Sequence, residues 1–285
     1  MTVSPASVDE VAAGLRSAGY LPGESTALVS YLATRLGKPV LVEGPAGVGK
    51  TELARAVAQA TGSGLVRLQC YEGVDEARAL YEWNHAKQIL RIQAGHGDWE
   101  QTKTDVFSEE FLLTRPLLTA IRRTEPTVLL IDETDKADIE IEGLLLEVLS
   151  DFAVTVPELG TITAERAPFV LLTSNATREL SEALKRRCLF LHIDFPDPDL
   201  ERRILLSRVP ELPEHLAQEL VKIIGVLRGM QLKKLPSVAE TIDWGRTVLA
   251  LGMDTIDDEV IAATLGVVLK HQSDQIKASG ELRLN

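Results

Sequence analysis

Eight residues, Gly44-Pro45-Ala46-Gly47-Val48-Gly49-Lys50-Thr51, restrict the fold of this chain more than any other stretch. They follow the apolar run Val40-Leu41-Val42 and precede the helical pattern Glu52-Leu53-Ala54-Arg55-Ala56-Val57-Ala58. A G-x-x-x-x-G-K-[ST] spacing between a strand and a helix is the setting of a phosphate-binding loop. Gly44, Gly47 and Gly49 let the backbone curl so that successive N–H groups converge on phosphate oxygens. A helix starting near Lys50 adds unpaired N–H groups and its positive dipole end. Pro45, Ala46 and Val48 complete the loop, and Glu52 follows in the first helical turn. Lys50 is expected to reach the β- and γ-phosphates, and the Thr51 hydroxyl to ligate Mg²⁺. A glycine-rich turn that happens to precede a helix is the plainer reading, and the flanks disfavour it. The segment predicts a nucleoside triphosphate site in an α/β fold.

Apolar β-type runs recur at 40–42, 65–68, 128–131, 169–172 and 189–193, mostly separated by helical patterns. Such alternation predicts a parallel sheet covered on both faces. After Phe195-Pro196-Asp197-Pro198 the character changes, because proline disfavours helix in the residue before it. Residues 199–208, 213–228, 237–251 and 257–272 read as helices, with no further strand signal. The expected layout is an α/β nucleotide-binding domain over 1–196, with lead-in helices at 8–16 and 25–36, then an all-helical domain over 197–285.

Composition narrows the partners. A formal charge of −12 over 285 residues opposes the counterion displacement that non-specific nucleic-acid binding needs, and tilts the partner toward protein. No apolar run approaches the roughly 18 residues of a membrane span. The N-terminus shows no secretion signal. Two distant cysteines, Cys70 and Cys188, fit a reducing cytoplasm rather than a disulfide framework or zinc site. The five histidines show no ligand-like spacing.

Three further segments carry candidate chemistry. Thr127-Val128-Leu129-Leu130-Ile131-Asp132-Glu133 reads as a buried strand delivering two acids to the sheet's carboxyl edge. Asp132 would meet Mg²⁺ there, and Glu133 would orient or deprotonate an attacking water. Phe169-Val170-Leu171-Leu172-Thr173-Ser174-Asn175 is a second such strand. Asn175 either holds the attacking water or is simply a strand-terminating turn former. Arg186 and Arg187 end a short helical pattern. They are either solvated surface or an arginine finger for a neighbouring subunit's γ-phosphate, a device worth on the order of 10³–10⁵ in rate.

Taken in order, these elements resemble an AAA+ ATPase, and more narrowly the MoxR branch. The stretch Leu144-Leu145-Leu146-Glu147-Val148-Leu149-Ser150 followed by 153–162 is similar to that branch's helix and inserted β-hairpin. Arg67-Leu68-Gln69-Cys70-Tyr71-Glu72-Gly73 and Ala79-Leu80-Tyr81-Glu82-Trp83-Asn84 resemble CoxD-type members, which are associated with maturing the metal centre of carbon monoxide dehydrogenase and related molybdenum hydroxylases. The resemblance implies ATP and Mg²⁺ as cofactors. It makes Lys50 and Thr51 Walker A, Asp132 and Glu133 Walker B, Asn175 sensor 1, and Arg187, with Arg186 as rival, the finger. It further implies a ring, commonly a hexamer, a von Willebrand A-domain partner and a client metalloenzyme. One departure stands out: Leu235-Pro236-Ser237-Val238-Ala239-Glu240 lacks the sensor-2 arginine, for which Arg246 is the nearest substitute.

The rival readings are a nucleic-acid-remodelling motor of the same superfamily and a P-loop small-molecule kinase. Acidic balance disfavours the first, and the Asn175 strand with Arg186-Arg187 disfavours the second. Trp99, in Gly95-His96-Gly97-Asp98-Trp99, and the hairpin at 154–163 are the candidate client contacts. Each has a plainer alternative, packing onto its own domain for Trp99 and a subunit interface for the hairpin.

Overall fold

A computed structural model describes residues 5–94 and 105–282. Trp99 and its glycine-punctuated loop lie outside the described residues. Two compact units emerge: Met1–Glu43 with Thr51–His192, and Gly44–Lys50 with Ile193–Asn285.

In the first unit a five-stranded parallel sheet is formed by β1 (Val40–Glu43), β2 (Gly64–Gln69), β5 (Thr127–Asp132), β8 (Phe169–Ser174) and β9 (Leu189–His192), in the order β2-β5-β8-β1-β9. All five apolar runs of the sequence become these strands. The chain leaves β1, crosses to β2 at the far edge, and returns through β5 and β8. Open α/β sheets of this kind place ligands at the strands' carboxyl ends. Register aligns Glu43 with Ser174 and His192, and Gln69 with Asp132, so the polar ends share one rim.

Every residue of β5 is buried, which is why its sequence is continuous aliphatic rather than alternating. The helices α1 (Val8–Ser17), α2 (Glu24–Leu36), α3 (Lys50–Thr61), α6 (Pro116–Arg122), α7 (Ile139–Asp151) and α8 (Glu182–Arg187) surround these strands in sequence. Smaller elements include α4 (Glu76–Ala79) and α5 (His85–Ala94). Two antiparallel pairs stand outside the main sheet, β3 (Tyr81–Trp83) with β4 (Leu112–Thr114), and β6 (Ala153–Val156) with β7 (Gly160–Thr163). The first pair has no sequence signal, since three-residue strands carry too little periodicity to register. The β6 side chains Val154 and Val156 enter the core, so this strand of the hairpin is anchored to its own unit.

The second unit is helical: α9 (Pro198–Arg208), α10 (Glu214–Gly229), α11 (Val238–Ala250), α12 (Asp258–Val268) and α13 (Gln272–Leu282). The sequence pattern at 257–272 overruns the end of α12 and stops where α13 begins, leaving α13 unread. Leu269 is extended, and the chain restarts at Gln272. Leu205, Leu220, Ile224, Leu227, Trp244 and Leu265 fill this core. Trp244 is fully buried and its indole N–H donates to Thr264 Oγ1 at 2.8 Å, satisfying its only donor.

A buried ion pair ties three segments of this unit together. Arg228 grips Glu201 through Nη1 and Nη2 at 2.6 and 2.8 Å, and Thr241 Oγ1 also donates to Glu201 at 2.7 Å. Arg228 Nε donates to the Pro236 carbonyl at 2.8 Å, and its guanidinium stacks 4.4 Å over the Phe195 ring. The pair thereby fixes the turn that enters α11. No helix among the described residues is long and apolar enough to cross a membrane.

Arg228→Ala strands Glu201 as an unpaired buried carboxylate and should cost about 3–5 kcal/mol. In thermal or urea melts, the double variant with Glu201→Ala should lose less than the two single losses summed, because each single variant leaves a partner stranded.

Candidate functional site

The loop between β1 and α3 is shaped by close backbone approaches. Gly44 has φ +154°, and a Cβ there would lie 1.9 Å from the Ile193 carbonyl oxygen. Gly47 has φ +76°, and its Cβ would lie 2.3 Å from Ser237 Oγ and 2.6 Å from Ser237 Cβ. Neither position admits another residue without movement. Lys50 is buried, and its Nζ donates to the Gly44 and Pro45 carbonyls, both at 2.7 Å. The ammonium is therefore held over the loop by its own backbone.

Thr51 stands in the first turn of α3, and its Oγ1 donates to Asp132 Oδ1 at 3.0 Å. This bond joins two motifs that are 81 residues apart in sequence. Thr173 Oγ1 donates to the same carboxylate oxygen at 2.6 Å. On the other oxygen, Arg67 from β2 donates through Nε at 3.1 Å and Nη2 at 2.5 Å. A hydroxyl and a carboxylate at this separation form a hard-oxygen donor set suited to Mg²⁺, which takes its remaining ligands from phosphate and water.

Glu133 follows with φ 56° and ψ 48°, a left-handed conformation that is rare outside glycine and that re-aims its side chain. Its backbone N–H donates to Thr173 Oγ1 at 2.8 Å. Its carboxylate accepts from Gln69 Nε2 at 2.9 Å and from Lys136 Nζ at 2.7 Å. The Glu133 bond raises the Lys136 ammonium pKa above its ordinary value.

Asp135 organises the turn after β8. Its Oδ2 accepts from the backbone N–H groups of Asn175 (3.2 Å) and Thr177 (3.0 Å) and from the Thr177 hydroxyl (2.6 Å). Burial alone would raise this carboxyl's pKa; the hydrogen bonds from Thr177 and Asn175 outweigh it and hold it below its ordinary value. Oδ1 has no hydrogen-bond partner among the described residues. Glu142 behaves similarly: burial opposes ionisation, but Ser181 and Arg178 lower its pKa. Arg178 Nη2 lies 2.6 Å from Glu142 Oε1 and donates to the Ala137 carbonyl at 2.7 Å. Residues 175–181 are thus pinned by two buried acids, which positions Asn175 through its backbone.

Arg186 and Arg187 sit at the end of α8, both exposed. Arg187 Nε donates to Ser150 Oγ on α7 at 2.7 Å. Glu52 lies in the first turn of α3, and its charge adds to burial in raising the Tyr20 phenol pKa. Cys70 adjoins the acids, and burial, reinforced by Asp132, Asp135 and Glu133, pushes its thiol up to about 12, which disfavours the thiolate. Arg246 stands two turns into α11, exposed and beside Asp243. The α11 residues within reach of a Gly47 side chain are instead Ser237 and Ala239. Ser237 caps that helix in a reciprocal box with Glu240.

Sequence reasoning overlooked Arg67, Gln69, Asp135 and Ser237. A signal existed for the first two. In β2 the buried residues Val66 and Leu68 alternate with Arg67 and Gln69, which places two polar side chains on one face beside β5. A cavity of about 820 Å³ lies elsewhere, at the strands' amino ends, lined by Lys38, Ser63, Thr127 and Phe169.

Residues 39–188 match the model of the AAA domain (dynein-related subfamily), just over half of the 285-residue chain. The chain belongs to this family. It is 23% identical to chaperone protein ClpB of Chlamydia pneumoniae over 219 residues, 72% of this chain but only 23% of that protein. It is 25% identical to protein NorQ of Paracoccus denitrificans over 229 residues, 78% of this chain and 76% of NorQ. A solved mutant RuvB of Thermotoga maritima shares the fold at 17% identity with a TM-score of 0.50, covering 99% of this chain and 75% of RuvB. These likenesses make the chain an AAA+ protein with a P-loop ATPase fold.

Gly47→Ala should lower the melting temperature of this AAA chain, since a left-handed alanine costs about 1–2 kcal/mol before any overlap with Ser237. Adding Ser237→Gly should recover part of that loss. A separate test concerns acid. The stability that Asp135 and Glu142 contribute is present above their unfolded pKa values near 4 and is lost as pH falls through their lowered folded values. Urea midpoints measured from pH 7 to pH 3 should therefore fall, and Asp135→Asn should flatten that fall.

Proposed function

We propose that this AAA domain hydrolyses ATP with Mg²⁺ and uses the cycle to remodel a client protein. The hydrogen bond between Thr51 and Asp132 carries the reading. It brings the phosphate loop's hydroxyl to the acid that ends β5, with Glu133 next in line. Thr51 and Asp132 would hold Mg²⁺, which would supply positive charge against the charge developing on the phosphates. The N–H groups of residues 44–49 and the Lys50 ammonium would cradle the phosphates. Glu133 would accept a proton from the attacking water as its oxygen bonds to γ-phosphorus and ADP departs. Asn175 would orient that water, placed by Asp135 behind it.

An arginine from a neighbouring copy would complete the charge stabilisation, so the active form is a ring, with a hexamer the expected size. Arg187 is favoured as that finger, with Arg186 its rival. The extent of similarity to NorQ, and the hairpin placed between α7 and β8, support the MoxR branch. Similarity to a protein named as a chaperone supports remodelling. Maturation of a metalloenzyme such as a molybdenum hydroxylase, with an A-domain partner in the cytoplasm, is the narrowest form of the proposal.

Lys50→Ala should abolish nucleotide binding in a fluorescent-nucleotide titration. Glu133→Gln should retain bound ATP while its turnover falls by on the order of 10²-fold or more; turnover at the wild-type rate would remove Glu133 as the base. Mixing Lys50→Ala with Arg187→Ala chains should restore partial ATPase activity, because a mixed ring contains interfaces where an intact Lys50 meets an intact Arg187.

A further inference from the structure

The edge strand β2 places a cation on the carboxylate that is to hold the metal. Arg67 puts two donors on Asp132 Oδ2, at 3.1 and 2.5 Å, a charge-assisted contact on a carboxylate whose side chain is only 3% exposed. Thr51 and Thr173 occupy the other oxygen. Without Arg67, a buried anion would keep only neutral hydroxyl donors. Arg67 itself is 44% exposed and stands on a strand paired on one side only, so its guanidinium can swing to solvent without disturbing the core.

We infer that Arg67 is a placeholder for the metal, competing with Mg²⁺ for Asp132 and thereby setting the Mg²⁺ concentration at which the site loads. The inference rests on Asp132 being a metal ligand. A guanidinium and a divalent cation on one carboxylate repel strongly even at the effective dielectric of a protein surface. Metal entry therefore drives Arg67 off. A second consequence follows from Gln69, which accepts from Arg67 Nη2 through Oε1 and donates through Nε2 to Glu133 at 2.9 Å. When Arg67 leaves, Gln69 loses the partner that orients its amide, and its hold on Glu133 loosens. Metal capture at Asp132 is thus connected to the freedom of Glu133 through two side chains of one strand face. Lys136 remains on Glu133 throughout, so the base keeps a cationic neighbour.

The test is a Mg²⁺ titration of the full chain at fixed fluorescent ATP analogue, comparing wild type, Arg67→Met and Arg67→Lys, with Lys50→Ala as blank. The half-saturating Mg²⁺ concentration should fall at least about fivefold in Arg67→Met and stay within about twofold of wild type in Arg67→Lys, which keeps the charge. An unchanged or raised midpoint in Arg67→Met overturns the inference. Melting curves give an independent readout. In chelator without nucleotide, Arg67→Met should melt below wild type, and Mg²⁺ with ATP should raise its melting temperature by more than it raises that of wild type. An equal or smaller gain counts against the placeholder. If wild type binds no nucleotide in a Mg²⁺-dependent manner, the nucleotide-site reading itself fails, and the role of Arg67 falls with it.

Discussion

A single buried carboxylate organises the candidate site. Asp132 ends a strand that is enclosed along its whole length, so its charge cannot be relieved by solvent and must be answered by neighbours. Thr51, Thr173 and Arg67 supply that answer from three different segments. The order of strands is what makes them neighbours, because β5 lies between β2 and β8. A parallel sheet collects its polar strand ends on one rim, and the cost of burying Asp132 is offset only there. Fold and site are therefore one problem with one solution.

The surrounding acids divide the labour by environment. Asp135 and Glu142 are held by backbone N–H groups, hydroxyls and Arg178, which favours their charged forms and fixes the turn containing Asn175. Glu133 is held by two flexible side chains, Gln69 and Lys136, from a left-handed backbone position. Rigid acids set the frame, and the acid assigned to chemistry is tethered by groups that can let go. That contrast is the physical basis for treating Glu133 differently from its neighbours.

Much of this was legible in the sequence. The phosphate loop, the Asp132-Glu133 strand end and the Thr173–Asn175 strand end are local patterns with fixed spacing, and all five sheet strands announced themselves as apolar runs. What stayed hidden depends on pairing across the sheet. Arg67 looks like any surface residue of an alternating strand until β2 is known to lie beside β5. Ser237 reads as an ordinary helix cap, and nothing local says that it faces Gly47. The overrun past Val268 and the unread α13 have another cause: only residues 269–271 separate the two helices, and the mostly polar α13 sequence carries too few apolar residues to show a period.

Asp132 ends the most enclosed strand of the sheet and Glu133 follows it, while Arg67 and Gln69 stand on the edge strand β2. Substitutions on an enclosed strand disturb packing on both faces, whereas an exposed position on an edge strand carries little of the fold's packing. Change at Asp132 is therefore felt through packing and charge together, whereas change at Arg67 is felt chiefly through charge. On the proposed reading, a single change on an edge strand would reset the ionic conditions of the site while leaving the buried acid itself untouched.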